Sequence, residues 1–586
     1  MTGARSSDVM NAMAEESSRA DWARWAAPWL VIFAVSIAYS NSFHGEMIYD
    51  DLSSIQRNPE IRNLIPREYN KVGTTLDGRP VLRFSLAVDY AIGGLDVRIY
   101  HATNFATHIA CCLLVYGIVR RTLLQQRVWG NRFIHSAPWL AAAVAGLWGV
   151  HPLNTESVTY IVQRAESLAS MFYLLVIYCV IRAADSSKSL GFWGITAITA
   201  TVLGVGCKEM VATVPVASLL YSWIFLKPRL GRLWVIHLGM LSCWVVLASQ
   251  MLNSVRGSSA GFYQGISATQ YALTQLRVIA LYLHLMVWPS PLVLDREDWP
   301  VTKSVRDVGF AGAWVALLVV LTIFALWRWP KVGFAGAWFF LILAPTSSFM
   351  PIPSEIVAEH RMYLPMLGWI ALAVVGGWML AGSSEFARQT EVGMVIALGV
   401  ILCTLTIRRN AQYRTAVGIW TDTVAHEPGD MRAHLNLGES LTKEALHYPA
   451  ESARFKSLAA QALEQYSQAM QLAEEALVQH GSLAEAEGYY DDMLQHDPRF
   501  IGRINLLRGK VRIMRGNYLG ARDDFLTAIA VHPNDAVAHY QLGLVDEKLN
   551  DWTDAAAELQ TAVQLDPQNA DARSQLATVK SMAGNK

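Results

Sequence analysis

The chain has 586 residues, 53% hydrophobic and 16% charged, and its 48 basic and 48 acidic side chains give a formal net charge of zero. A soluble protein carries about a quarter of its residues as charges, so part of this chain needs an apolar solvent. The balanced charge, without zinc spacing or a recognition helix, offers no argument for a nucleic-acid partner.

Residues 1–26 are polar and rich in acids and are expected on the cytoplasmic side. The apolar run that follows lacks a small-residue cleavage signal and reads as a retained anchor. About 20 apolar residues cross a bilayer as a helix. Candidate spans lie near 27–43, 99–119, 136–150, 165–181, 190–207, 209–226, 233–250, 309–327, 333–348, 362–381 and 391–407. A twelfth run, 271–288, contains Arg277 and His284 and either crosses or lies along the interface. Cys111, Cys112, Cys179, Cys207, Cys243 and Cys403 all fall in apolar stretches, where thiols act as small buried hydrophobes and no disulfide framework is expected.

Arginine and lysine mark the cytoplasmic ends of spans. Arg120, Arg121, Arg127 and Arg132 follow the second span, Arg182 and Lys188 the fourth, and Lys227, Arg229 and Arg232 the sixth. The opposite, outer side then receives the 42–98 loop, the 151–164 loop and the Lys208-Glu209 turn. With 271–288 along the interface, Arg328 and Lys331 fall inside, and 349–361 and the tail fall outside. A crossing there inverts this last part, which would suit Arg408-Arg409.

Charge gathers at the outer ends. Tyr49-Asp50-Asp51 follows the first span, with Asn58-Pro59, Gly78-Arg79-Pro80 and Arg83 further along the same loop. The paired aspartate reads as an interface cap, or as a carboxylate that accepts a proton or coordinates a divalent ion. His101, Asn104 and His108 share one face of the second span, as polar glue between helices or as part of a site. His151-Pro152-Leu153-Asn154-Thr155-Glu156 and Gln163-Arg164-Ala165-Glu166 flank the next outer mouth, and Lys208-Glu209 occupies a tight turn. Glu359-His360-Arg361-Met362-Tyr363-Leu364-Pro365 enters another span, where Arg361 and Tyr363 suit an anionic head group. Ionisable groups in such a layer are functional by default, and an arginine fork suits phosphate. A reaction between a lipid-linked phosphate and a polar acceptor fits better than a channel or transporter, because no inverted repeat or broken midplane helix is evident. Asp50, Asp51, Glu156 and Glu209 supply oxygen ligands for Mg²⁺ or Mn²⁺ if their loops converge; a metal-free base mechanism is equally open.

The tail has a period of 34 residues: Gly509 and Gly543, Tyr518 and Trp552, Ala521 and Ala555, Ala528 and Ala562, Pro533 and Pro567. Small residues let paired helices approach, an aromatic fills the layer between them, and proline opens the next turn, which is the pattern of tetratricopeptide repeats. Pro428 and Pro498 extend it to about four repeats, with one diverged and an insertion around 445–460. Asp491-Asp492 and Asp523-Asp524 read as solvated helix faces. Such a solenoid presents a concave face to a peptide or protein, but the fold names no partner.

These pieces together resemble the transmembrane and tetratricopeptide-repeat-containing O-mannosyltransferases and their bacterial relatives, within the GT-C superfamily of polyprenyl-phosphate-sugar glycosyltransferases. The resemblance is carried by Tyr49-Asp50-Asp51 with Asn58, Arg79-Pro80, His151-Pro152 with Thr155-Glu156, Arg164-Ala165-Glu166, Lys208-Glu209, Glu359 with Arg361-Met362-Tyr363-Leu364-Pro365, and the repeats. It implies an all-α, polytopic GT-C-like bundle over 27–410 and a repeat domain over 411–586. The site would face the lumen or, from a bacterial inner membrane, the periplasm. The donor would be a polyprenyl-phosphate-linked sugar, mannose in animal members, and the acceptor a protein Ser or Thr hydroxyl held by the repeats. Asp50 or Asp51 takes the role of the acidic residue in the first outer loop, with Glu156 beside it, and transfer inverts the sugar. Substrate-binding residues are expected among Arg79, Arg83, His101, Asn104, His151, Arg164, Glu166, Lys208, Glu209, Glu359, Arg361 and Tyr363. His360 and the small number of repeats depart from the family pattern. A membrane-anchored repeat scaffold for envelope assembly or export is the other reading.

Overall fold

The computed structural model describes every residue except 1–21, 23, 66–75, 186–188, 254–265, 297–298, 353–354, 481–486, 489, 492–493, 495–500 and 584–586. Most of the N-terminal segment, Lys188, Asp492 and Pro498 therefore lie outside the described residues. All regular elements among the described residues are helical, and the chain divides into two compact units, Met1–Glu427 and Pro428–Lys586.

The first unit comprises α1 (Arg24–Ala38), α2 (Pro80–Gly93), α3 (Val97–Leu123), α4 (Ala137–Gly149), α5 (Arg164–Asp185), α6 (Leu190–Val205), α7 (Val214–Phe225), α8 (Leu230–Met240), α9 (Ser242–Asn253), α10 (Ala268–Val287), α11 (Val305–Arg328), α12 (Pro330–Leu343), α13 (Met366–Ala381), α14 (Glu385–Gln412) and α15 (Ala416–His426). Among the described residues, five stretches are long and apolar enough to cross a membrane: α3, Ile161–Asp185 containing α5, Leu230–Ser249 across α8 and α9, α11 and α14. Six shorter apolar helices join them: α1, α4, α6, Glu209–Phe225 containing α7, α12 and α13. Burial ranks them, since 72% of the apolar window of α5 is buried against 17% for α11 and α14, so α5 is central. Outward faces stay apolar, with Phe192, Ile195, Phe310, Ile323 and Ile396 exposed, as a surface in contact with lipid requires. Gly333 brings α12 against α11, because a Cβ there would lie 2.3 Å from the Leu326 backbone nitrogen.

Side-chain contacts define the two ends of the bundle. At the end expected to face the cytoplasm, called the inner end, Asp185 pairs with Arg121 (3.3 Å) and Arg229 (2.7 Å), and Lys331 Nζ donates to the Val128 carbonyl (2.7 Å). At the outer end, Asn410 Nδ2 donates to the Ala38 carbonyl (2.9 Å) and the Val81 N–H to the Gly206 carbonyl (3.1 Å).

The run 271–288 packs along its length against segments from one end of the bundle. Along α10, Tyr271 Oη donates to the Thr346 carbonyl (2.8 Å), and Gln275 Nε2 donates to the Ile356 carbonyl (3.0 Å). Further on, Tyr282 Oη accepts from the Ala358 N–H (2.9 Å), and the Met286 carbonyl accepts from His151 Nε2 (3.1 Å). A crossing helix would meet outer segments at one end only; α10 meets them along its length. Its buried residues, Tyr271, Gln275, Val278, Tyr282 and Leu285, form one stripe at helical spacing. Consequently α11 starts at the outer end and α14 returns to it. There the Ala416 N–H donates to Glu46 Oε2 (3.0 Å). Arg409, which would have suited an inner position, is held at the outer end by Asp422 (2.7 Å). The compact units divide later than the boundary expected near 410, because α15 packs with the first unit through Trp420, stacked edge-on against Tyr49 at 5.4 Å.

The second unit contains α16 (Met431–Ala445), α17 (Ala453–His480), α18 (Ile501–Met514), α19 (Tyr518–Val531), α20 (Ala536–Lys548), α21 (Trp552–Leu565) and α22 (Ala570–Ala583). The repeated glycines are contact points. A Cβ on Gly509 would lie 2.6 Å from the Phe525 ring, and one on Gly543 would lie 2.7 Å from Leu559 Cγ. Asp524 is not a solvated face: it is buried and pairs with Arg508 (2.6 Å) and Arg512 (3.0 Å) across the α18–α19 hairpin.

Candidate functional site

Asp50 and Asp51 face different surroundings. Tyr49 adopts a φ of 45°, a left-handed conformation rare outside glycine, at the turn that leads into the 50–56 segment. Asp51 is fully buried, its Oδ2 accepting from the Ile48 N–H (3.1 Å) and its Oδ1 from the Val162 N–H (2.8 Å). Burial pushes its carboxyl up to about 8, against the opposing pull of those N–H groups. Asp51 thus laces the first outer loop to the 160–163 segment. Asp50 is half-buried, and its N–H donates to Tyr160 Oη (2.9 Å).

Several expected binding residues are buried braces. Arg164 is fully enclosed, pairing with Asp89 (2.5 Å) and donating to Asn104 Oδ1 (2.5 Å) and the Tyr100 carbonyl (2.9 Å). Its donors are directed at α2 and α3, which removes it from contact with a phosphate. Asn104 Nδ2 continues the brace to the Val158 and Ile161 carbonyls (3.1 and 3.3 Å), and His101 Nε2 meets the Gly45 carbonyl at 3.0 Å. His108 Nε2 donates to the Gly149 carbonyl (2.9 Å), so its Nδ1 accepts from Tyr363 Oη (2.7 Å). Tyr363 is therefore an interior strut rather than a head-group contact. His151 accepts at Nδ1 from the Leu153 N–H (3.2 Å) and donates from Nε2 to α10, and burial lowers its pKa to about 4. Arg83 is buried on α2.

A second charged group, mostly buried, reaches the surface of the outer layer through Glu209 and Glu355. Four separate segments bring together Arg79 with Glu209 (3.7 Å), Lys208 with Glu166 (2.7 Å), and His360 with Glu156 (2.7 Å). The His360 N–H also donates to Glu156 (3.0 Å). Glu355 joins them, its carboxylate 3.7 Å from His360 Nε2 and 3.4 Å from Arg361. Desolvation resists ionisation of Glu355, but His360, Arg361, Lys208 and Arg79 together outweigh it and bring the carboxyl down to about 2. Its side chain is 44% exposed, whereas Arg361 and His360 are nearly covered. Sequence reading missed Glu355, because it precedes the conspicuous 358–365 motif; its one signal was a carboxylate six residues before Arg361.

Glu359 belongs to a neighbouring cluster. It accepts from the Val293 N–H (2.9 Å) and lies 3.6 Å from Arg296, which also pairs with Glu427. Burial raises its carboxyl to about 7 despite Arg409 and Arg296. Arg296 was not expected at the site, and Arg409 figured only in the question of orientation. Among the described residues no group of three or more His, Cys, Asp or Glu stands close enough to hold a metal ion. Asp51, Glu156 and Glu209 are engaged with backbone N–H groups, His360 and Arg79 respectively, so the carboxylates expected to share an ion do not form such a site.

An apolar bundle with charged loops gathered at one end and a helical repeat tail defines a multi-pass membrane protein with a tetratricopeptide-repeat domain. The tetratricopeptide-repeat family model matches residues 506–570. The chain is 23% identical over 487 residues to protein O-mannosyl-transferase TMTC4 of Homo sapiens, covering 71% of this chain and 64% of that protein. It is 22% identical over 615 residues to protein O-mannosyl-transferase TMTC3 of Mus musculus, covering 88% and 65%. A shorter stretch of 219 residues, 34% of this chain and 24% of the relative, is 31% identical to protein O-mannosyl-transferase TMTC2 of Mus musculus. The chain thus spans less than two thirds of the length of these relatives. The resemblance to the transmembrane and tetratricopeptide-repeat-containing O-mannosyltransferases, read from short motifs, is borne out.

Proposed function

We propose that this protein is a membrane glycosyltransferase that moves a sugar, mannose by analogy with its relatives, from a polyprenyl phosphate to a protein Ser or Thr hydroxyl. The observation that carries this reading is the half-exposed Glu355 carboxylate beside Arg361 (3.4 Å) and His360 Nε2 (3.7 Å), next to the Arg79–Glu209 and Lys208–Glu166 pairs. A carboxylate surrounded by cations marks a locus suited to an anion, and phosphate suits the guanidinium fork. Asp50, at the same end of the bundle, takes the acceptor hydroxyl proton. The acceptor oxygen bonds to the anomeric carbon as the carbon–oxygen bond to phosphate breaks, and the polyprenyl phosphate leaves toward the cations with its electron pair. Attack opposite the leaving phosphate inverts the sugar. Asp51, Arg164, His101 and Asn104 hold the loops in place, and His151 anchors α10. The outer end faces the periplasm or lumen, where the repeats present an exported acceptor.

Purified full-length protein is incubated with labelled polyprenyl-phosphate mannose and an acceptor peptide. Transfer is expected. Arg79→Gln and Arg361→Gln should each weaken donor binding by about tenfold or more, the loss typical of a charge-assisted hydrogen bond. Unchanged donor binding in both variants would remove the cation cluster from the donor site, and absence of both transfer and donor binding would favour the scaffold reading.

A further inference from the structure

We infer that the inner end of the bundle carries a binding site for an anionic diacyl phospholipid, separate from the outer charged layer. Arg24, Arg120, Arg121, Arg127, Lys227 and Arg229 line one cavity of about 620 Å³ between the ends of α1, α3, α7 and α8. Asp185 is the one acidic residue among its described lining, and Arg121 and Arg229 share it. Arg120, Arg121, Arg127, Lys227 and Arg229 crowd around one described carboxylate in a partly desolvated cavity, and their mutual repulsion is relieved by a bound anion.

What lies beside the cavity identifies the anion as a lipid. An apolar groove of about 820 Å³ runs between α3, α5 and α7 on one side and α12 and α13 on the other. Phe225 lines both the cavity and the groove, so head-group and chain compartments adjoin. Phe334, Trp338, Leu367 and Ala371 make the groove apolar, and Leu380 at its rim is exposed on the outside of the bundle. Arg132, Arg328 and Lys331 line its inner mouth. Both volumes fall in the range of about 300–1,000 Å³ typical of small-ligand sites. Basic pockets between membrane helices with an apolar slot beside them suit a phosphate head group and its acyl chains. Gly376 lines the groove, and a Cβ placed there meets no atom within 4 Å, so that part of the groove has room for a chain.

The full chain in neutral detergent is titrated with phosphatidylglycerol and phosphatidylcholine of identical chains, and separately with glycerol 3-phosphate, with occupancy read by native mass spectrometry. Phosphatidylglycerol is expected to bind well above phosphatidylcholine. Combined Arg24→Gln, Arg127→Gln and Lys227→Gln should weaken it on the order of a hundredfold, since each basic residue near a head group contributes about fivefold. Gly376→Trp, which fills the groove, should weaken both lipids and leave glycerol 3-phosphate unaffected. Equal binding of the two lipids by the wild-type chain overturns the proposal, and that comparison needs no variant. So does glycerol 3-phosphate binding as tightly as the lipid, which would mark a site for a soluble phosphate. Undiminished lipid binding by folded Gly376→Trp removes the groove from the site.

Discussion

Asp50 and Asp51 are adjacent carboxylates, and the difference between them lies in what their oxygens already do. Asp51 accepts two backbone N–H groups from opposite sides. In Asp51→Asn one of those donors faces an amide NH₂, so the variant should lose about 1–3 kcal/mol of stability, seen as a lowered melting temperature in detergent. Asp50→Asn changes no such brace. It should retain the wild-type melting temperature and donor affinity while transfer falls roughly 10²–10⁴-fold, the usual contribution of a general base. Wild-type turnover by Asp50→Asn would move the base elsewhere. Glu355 and Glu359 should respond to pH with opposite signs. The Glu355 carboxyl is held down to about 2 by its cations, so its contribution to stability is present above the ordinary value of 4.5 and is lost as pH falls toward 2. The melting-temperature gap between wild type and Glu355→Gln should therefore be steady from about pH 5 to 8 and close below about 4.5. Burial raises Glu359 to about 7, so the stability it lends while protonated is present below the ordinary value of 4.5 and is lost as pH rises from there through about 7. Glu359→Gln should gain on the wild type across that window and keep the gain above it.

At the scale of elements, the path of α10 decides which charged groups meet. Hydropathy left it open because Arg277 and His284 interrupt an otherwise sufficient run. Polar partners along the helix favour a course along one end of the bundle, and sequence separation conceals those: Tyr271 pairs with residue 346, and Met286 with residue 151. The apolar spans and the shared face of Arg79, Glu156 and Lys208 were legible, because hydrocarbon thickness and charge bias act on local composition; the side of Arg361 was not, because it hangs on the course of α10. The choice between brace and binding residue was not. Arg164 and Arg361 look alike in sequence and both are buried; Arg164 spends its donors on Asp89, Asn104 and the Tyr100 carbonyl, whereas Arg361 donates to the Ile356 and Glu355 carbonyls and pairs with the half-exposed Glu355 carboxylate. The 34-residue period was legible for a related reason, since Gly509 and Gly543 each meet a partner in the next helix of the same hairpin. Single cysteines replacing the exposed Arg57, Gln126 and Val287, in a chain with the six native cysteines removed, check the course of α10. An impermeant thiol reagent on intact cells should label positions 57 and 287 and spare 126. Protection of 287 together with 126 would mean that α10 carries the chain across and that the loops after it cannot share the outer face.

For the whole molecule, the separation of chemistry from acceptor recognition depends on where the first unit ends. Asp422 and Glu427 follow the last membrane helix, yet they pair with Arg409 and Arg296, both of which are buried. A chain cut after residue 410 loses both carboxylates and leaves these guanidiniums short of partners. Removing one member of a buried pair costs about 3–5 kcal/mol, enough to unfold the outer layer around Glu359. A chain cut after Glu427 keeps both pairs, along with the Tyr49–Trp420 stack beside Asp50. The 1–427 chain should therefore purify folded and bind polyprenyl-phosphate mannose as the full chain does, while its transfer to a protein acceptor weakens. The 1–410 chain should aggregate or lose donor binding. Equal behaviour of the two truncates would show that α15 contributes nothing to the outer layer. A folded 1–427 chain that has lost donor binding would refute the division of labour itself, because the repeats would then take part in holding the lipid-linked sugar.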